Sequence, residues 1–271
     1  LWLTYPGNAP NISVSQKPSL YSLYQKRPQM RALSDNHSVR EGGIKRGPVT
    51  WLCYLMSGFF MYLLTLQGNI IPFLRSELRL SYGAVILHSS AFAAPGFVTG
   101  MFGDWLIRRY GRRRVLWLGA LGMLVGAALL CVASAAWFSI GSCALMGASG
   151  GLIWIVVTAL LSELHGDRRN VALAEASAVA YAFGTVAPLV MSLCLSLALS
   201  WRNAVLVGVV FGGIILLWFG RTPLPNSAVI STPGHASLPA PYWIYWCALT
   251  MAIAIEFCIL LWAPEFLQHV V

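Results

Sequence analysis

Apolar residues fall into seven long runs, at residues 48–74, 82–107, 115–133, 137–161, 171–199, 204–220 and 242–267. Short polar, charged or glycine- and proline-containing stretches separate them. A helix needs about 20 such residues, in a range of roughly 17–25, to cross the ~30 Å hydrocarbon core of a bilayer. Every run reaches that length, and lipid leaves an isolated run no way to pair its amides except as a helix. The pattern therefore predicts an all-α, polytopic membrane protein with about seven transmembrane helices. Small residues recur inside the runs at spacings that let a neighbouring helix approach closely. Examples are Ala93, Ala94, Gly96, Gly100 and Gly103 in the second, Gly119, Gly122 and Gly126 in the third, and Gly147, Gly150 and Gly151 in the fourth.

Two segments lack this pattern. Residues 1–47 are polar and basic, contain Ser and Pro, and show no apolar periodicity, which reads as a flexible tail. The tail begins with Leu, and Met30 is a candidate native start. Residues 221–241 carry Pro, Ser, Thr and Gly with no acidic residue, a linker composition between the sixth and seventh runs. The expected organisation is a tail (1–47), a six-helix unit (48–220), a linker (221–241) and one further helix (242–271).

Composition sharpens the class. The 271 residues are 58% hydrophobic and only 10% charged, with a mean hydropathy of +0.69, whereas soluble domains carry roughly 25% charge. The six cysteines all lie in apolar runs without CxxC spacing, which argues against a disulfide framework or a zinc site. No phosphate-binding loop or HExxH motif is present, so neither an enzyme, a metal nor a cofactor is expected. The net charge of +9 raises the question of a nucleic-acid partner, and the placement of that charge answers it. Of the 18 Lys and Arg, all but Arg75, Arg79 and Arg202 fall on one side once the runs alternate across a membrane. By the positive-inside rule that side is the cytoplasm. The expectation is a multi-pass protein of the plasma membrane with a cytoplasmic N-terminus, a lipid environment and no nucleic-acid partner.

The densest basic stretch is Gly100-Met-Phe-Gly-Asp-Trp-Leu-Ile-Arg-Arg-Tyr-Gly-Arg-Arg-Arg114, between the second and third runs. Its arginines alone are explained equally well by a positive-inside anchor. The pattern G-x-x-x-D…R-x-G-R-R, carried by Gly100, Asp104, Arg109, Gly111, Arg112 and Arg113, resembles the signature loop of the major facilitator superfamily. In that family the Arg usually follows the Asp directly; here Trp105-Leu106-Ile107-Arg108 intervene, which places Asp104 opposite Arg108 at i, i+4. The resemblance implies a secondary transporter of two six-helix halves. Gly100, Asp104, Arg109, Gly111, Arg112 and Arg113 would govern its cytoplasmic gate. This chain would hold the first half and the first helix of the second, without helices eight to twelve. The loose likeness of Ile71-Pro72-Phe73-Leu74 to Ala263-Pro264-Glu265-Phe266-Leu267 fits such a repeat. A rival reading is a non-transporting membrane scaffold or a remnant, because one half alone does not enclose a two-sided pathway.

Charges inside a membrane are costly and are usually paired or functional. Glu256 lies in Ala-Ile-Ala-Ile-Glu-Phe-Cys-Ile-Leu-Leu-Trp with no charged neighbour, and desolvation favours its proton-binding form. It is the candidate for proton coupling or for binding a cationic solute, and the alternative is a neutral acid that fixes helix packing. The resemblance places the first, fourth and seventh helices around the central cavity. His88 is a candidate relay partner or a packed histidine. Gln67 and Asn69 serve either a polar solute or helix ties. Trp154 and Trp262 are candidates for stacking on a planar or cationic ligand. Glu175, near the inner end of the fifth run and close in depth to the Arg108–Arg114 loop, reads as half of a structural ion pair closing that end, the alternative being a substrate role. The functional expectation is alternating-access transport of a small solute, driven by protons.

Overall fold

The computed structural model describes residues 46–225 and 240–270, and in the last helix the side chains of 241–256, 258 and 259. The described residues hold no strand and seven α-helices: α1 Pro48–Leu78, α2 Tyr82–Tyr110, α3 Arg112–Cys131, α4 Ala136–His165, α5 Arg169–Ser196, α6 Trp201–Phe219 and α7 Ala240–Val270. Five helical stretches are long and apolar enough to cross a membrane. One of them, 61 residues long, is α4 and α5 joined through the 3₁₀ turn Gly166–Arg168. Straight, it would measure about 90 Å, and α4 instead packs against α5, so it makes two passes.

Most helices run further than their apolar cores. Residues 75–78, expected in a turn, extend α1 through the internal Pro72. The charged stretch expected as a loop at 162–170 shrinks to the 3₁₀ turn, because α4 continues to His165. The stretch 201–203 is the first turn of α6, not the connection before it; Ser200 caps it by accepting from the Arg202 amide at 3.3 Å. Helix propagation is cheap once a turn exists, so charged residues at a membrane face extend a helix into the interface.

The connections are correspondingly short. Ser81 caps α2 through the Ala84 amide at 3.3 Å. Between α2 and α3 there is one residue, Gly111, at φ 83° and ψ 149°. That backbone strains a side-chain-bearing residue. An added Cβ there meets open space, so the need for glycine is conformational and not steric.

In the bundle, α1 is the most enclosed element: 78% of its apolar window is buried, against 17% for α2 and 28% for α6. It packs on α4, α5, α6 and α7, while α4 is held between α2 and α3. The tightest crossing is α2 on α4, where a Cβ added to Gly147 falls 1.8 Å from the Phe92 carbonyl oxygen. Here only hydrogen on Cα permits the approach. Gly100, one of the small residues expected to let a neighbour approach closely, faces open space. The core around α1 includes Leu52, Met56, Phe59, Leu63 and Leu66, with Leu116, Met123, Met146, Ile153 and Leu160 from α3 and α4.

Candidate functional site: two clasped ends and a mid-depth carboxylate

At the end that the charge pattern of the sequence assigns to the inside, charged groups from four helices are paired. Arg46 precedes α1 and grips Glu175 of α5 with two nitrogens, Nε to Oε2 at 3.1 Å and Nη2 to Oε1 at 2.5 Å. Tyr54 donates to the same carboxylate at 2.6 Å. The carboxylate's hydrogen bond and charge raise the Arg46 pKa above its ordinary value. Beside them Thr50 Oγ1 lies 3.1 Å from His165 Nε2, joining α1 to α4. The signature loop forms a second set. Arg112 makes a two-pronged pair with Glu163 of α4, with Nη1 to Oε2 at 2.7 Å. The Arg112 side chain is 6% exposed and that of Glu163 is 46%. Arg113 donates to the Gly220 carbonyl at 2.8 Å, capping the negative end of the α6 dipole. Asp104 and Arg108 pair at i, i+4 on the exposed face of α2. Arg109 and Gly100 are exposed.

The outer end is clasped by one arginine. Arg202 at the start of α6 bonds Glu77 of α1 at 2.7 Å and the Cys131 carbonyl at the end of α3 at 2.7 Å. Trp201 adds a bond to Glu77 at 3.2 Å. The Arg75 guanidinium sits 3.8 Å above the Tyr82 ring, linking α1 to α2.

Between the ends, each arginine of the described residues lies within about one turn of a helix end, and no lysine is described. Glu256 stands near the middle of the 31-residue α7, half-buried. The described side chain that faces its carboxyl is neutral, Tyr181 of α5. Tyr181 is 52% exposed and Trp154 of α4 is 42% exposed. Trp154 rests against Phe60 of α1 with ring centroids 5.8 Å apart.

The remaining polar residues form a separate buried group. His88 is 1% exposed. Its Nδ1 is 2.6 Å from the Ala84 carbonyl, and its Nε2 is 2.7 Å from Ser139 Oγ of α4. The carbonyl requires a donor at Nδ1, so the neutral ring accepts at Nε2. Gln67 donates to the His88 carbonyl at 3.3 Å and leaves its own Oε1 unpartnered. Asn69 bonds back to the Thr65 carbonyl of its own helix at 3.1 Å. His88 and Gln67 thus tie α1, α2 and α4 together, and the structure does not bring His88 to Glu256. Trp262 lies outside the described side chains.

Sequence reasoning did not find Tyr54, Glu163, Glu77 or Tyr181, nor the pairing of Arg46 with Glu175. Glu163 was the most findable of them, being one turn from the inner end of its helix, level with the arginines of the neighbouring turn. Tyr181 carries no such signal, because mid-helix tyrosines are common in membrane bundles.

The arrangement can be compared with known proteins. Residues 50–271 match the family model described as Major Facilitator Superfamily. No curated protein matches the chain. Among solved structures, it is similar to the peptide transporter POT, crystallised as a point mutant with sulfate, at 18% identity and a TM-score of 0.59 over 83% of this chain and 47% of that one. A bacterial homologue of the human drug peptide transporters gives 18% identity and a TM-score of 0.59, over 80% of this chain and 50% of the other. A POT family transporter in complex with 5-aminolevulinic acid gives 15% and 0.56, over 82% and 47%. At these identities the likeness is one of fold, and the chain spans about half the length of the solved proteins it matches. With a family match over nearly all of the helical region, seven helices and the Gly111 turn between paired arginines, the chain belongs to the major facilitator superfamily.

Proposed function

We propose that the chain forms part of a secondary active transporter that moves a small solute across the plasma membrane by alternating access, with Glu256 as the coupling carboxylate. The observation that carries this reading is the mid-depth placement of Glu256, which meets a neutral tyrosine and no cationic side chain among the described residues. An ionised carboxylate in that setting costs far more than one at the interface. A cation or a proton taken up there would offset that cost, which is the ground for naming Glu256 as the coupling carboxylate. Further support comes from the inner clasps, which use Arg46, Arg112 and Arg113 to hold helix ends. Within the reading, Asp104, Arg109, Gly111, Arg112 and Arg113 serve a cytoplasmic gate, while Glu175 and Arg46 keep α1 and α5 in register.

The test is solute-driven proton movement in proteoliposomes that hold the full-length protein and a trapped pH-sensitive dye. A solute that collapses an imposed pH gradient through the wild-type protein, and does so far less through Glu256→Gln, supports the reading. Proton movement that is unchanged in Glu256→Gln removes Glu256 from the coupling role. A protein that moves no solute and no protons is the non-transporting scaffold.

A further inference from the structure

We propose that the inner corner between α3 and α6 binds the headgroup of an anionic phospholipid, with an acyl chain of that lipid lying along an exposed apolar stripe of α3.

The corner is made by the packing of the two helices. They touch at mid-depth, where a Cβ added to Gly212 of α6 falls 2.8 Å from Leu124 Cδ2 of α3. At their inner ends Arg113 Nη2 donates to the Gly220 carbonyl at 2.8 Å. That bond sets three exposed arginines together: Arg113 and its neighbour Arg114 on α3, and Arg221, the residue after Gly220. Arg113 uses one N–H of its guanidinium on the carbonyl, which leaves the rest of the fork for a further acceptor. Arg114 and Arg221 meet no acceptor among the described residues.

Charge sets this corner apart from the rest of the inner end. Among the described residues the inner acids are Asp104, Glu163, Asp167 and Glu175. Three are paired, with Arg108, Arg112 and Arg46, and Asp167 belongs to the 3₁₀ turn between α4 and α5. The backbone adds to the imbalance. The first turn of α3 begins Arg112-Arg113-Arg114, with no acid and no side-chain cap. A helix N-terminus is the positive end of its dipole and holds amides without partners, so it disfavours cations and favours an anion. A phosphodiester offsets both the dipole and the arginines, and a guanidinium fork matches phosphate oxygens two at a time.

An apolar surface continuous with this charge points to a lipid over a soluble anion. From Arg114 the exposed residues Leu118, Leu121 and Val125 follow at steps of four, three and four, which is one face of a helix. The arginine therefore heads an apolar stripe ~16 Å long at ~1.5 Å per residue. On α6, Leu217 and Trp218 are 84% and 78% exposed just before Gly220, and tryptophan favours the headgroup level. A phospholipid placed here puts its phosphate on the arginines and a chain on the stripe. A zwitterionic lipid brings a cation of its own to the same arginines, so the corner selects for net negative charge.

The test is native mass spectrometry of the full-length protein, titrated separately with dioleoylphosphatidylglycerol and dioleoylphosphatidylcholine, which share their chains and differ in headgroup. The wild-type protein should hold the anionic lipid roughly tenfold or more tightly. Arg114→Gln and Arg221→Gln should each weaken it about fivefold, the effect of one arginine beside an anionic headgroup, and leave the choline lipid unchanged. Arg79→Gln makes the same charge change at an exposed site of the outer end and should change neither. Equal retention of the two lipids by the wild-type protein would overturn the proposal without recourse to any variant. So would an Arg79→Gln loss as large as that of Arg114→Gln, which would mean an effect of overall charge. Displacement of the anionic lipid by an equal concentration of sn-glycerol 3-phosphate would overturn the lipid as occupant, because the stripe would then contribute nothing.

Discussion

The ends of this bundle and its middle treat charge in opposite ways. At the inner end Arg46 meets Glu175, Arg112 meets Glu163, and Arg113 meets a helix-terminal carbonyl. At the outer end Arg202 meets Glu77 and a second carbonyl. Each of these bonds joins two helices or the residues that flank them, and each has an ionised group satisfied by an opposite charge or a dipole. In the middle, Glu256 stands beside a neutral tyrosine. A paired charge is a fastener, because removing one partner strands the other. A charge answered only by a neutral donor can lose its charge, or exchange it, without dismantling the fold. The contrast separates charges met by an opposite charge or a dipole from one that meets neither among the described residues.

The largest expected effect lies in the middle and should appear in function alone. Glu256→Gln is expected to lower coupled proton flux by about 100-fold, equivalent to ~2.7 kcal/mol. The midpoint of thermal unfolding in detergent should stay close to wild type. A large loss of thermal stability would erase the contrast, since Glu256 would then be one more fastener. Next is the inner clasp, where the signs reverse. Glu163→Gln leaves the buried Arg112 guanidinium without its counter-charge. Breaking a fully buried pair costs ~3–5 kcal/mol, and Glu163 is about half exposed, so about 2 kcal/mol of stability should go. The double variant Arg112→Met, Glu163→Leu should recover much of it, because the stranded charge goes too. No recovery would mean that the pair does more than neutralise itself.

The same division explains what could be read in the sequence. Helix number and the Arg-rich turn were legible, because run length and charge position follow directly from the cost of burying backbone and charge in lipid. The i, i+4 pairing of Asp104 with Arg108 was legible for the same reason, being local. The long-range partners were not. Glu175 was recognisable as half of an ion pair, but its partner Arg46 is 129 residues away and lies just outside the first apolar run, where the tail seemed to begin. Pairings of this kind depend on which helices become neighbours, and a uniform apolar run carries little information about that. His88 shows another limit. As an isolated polar residue in a run it reads as a relay partner or a packed histidine, and the run pattern does not reveal its bonds to Ala84 and Ser139.

The two smaller predictions probe how firmly the inner end is fastened. Glu175→Gln should destabilise less than Glu163→Gln, since both Arg46 and Glu175 reach solvent, with side chains 46% and 28% exposed. The difference from wild type should shrink further at about 1 M salt, where screening acts within ~3 Å. The smallest effect belongs to Gly111. Its left-handed φ of 83° is reached without penalty only by glycine, while an added Cβ would touch nothing. Gly111→Ala should therefore cost about 1 kcal/mol, purely from backbone strain. Gly111→Val should cost more, because branching at Cβ narrows the backbone further and the space outside does nothing to relieve it. If Ala and Val were both neutral, the turn must relax to another backbone path, and Arg112 and Arg113 would have to keep their bonds to Glu163 and Gly220 from a different starting point. A one-residue connection leaves little slack for that: α2 ends at Tyr110 and α3 begins at Arg112, so a change at Gly111 acts directly on the two arginines that fasten α3 to α4 and α6.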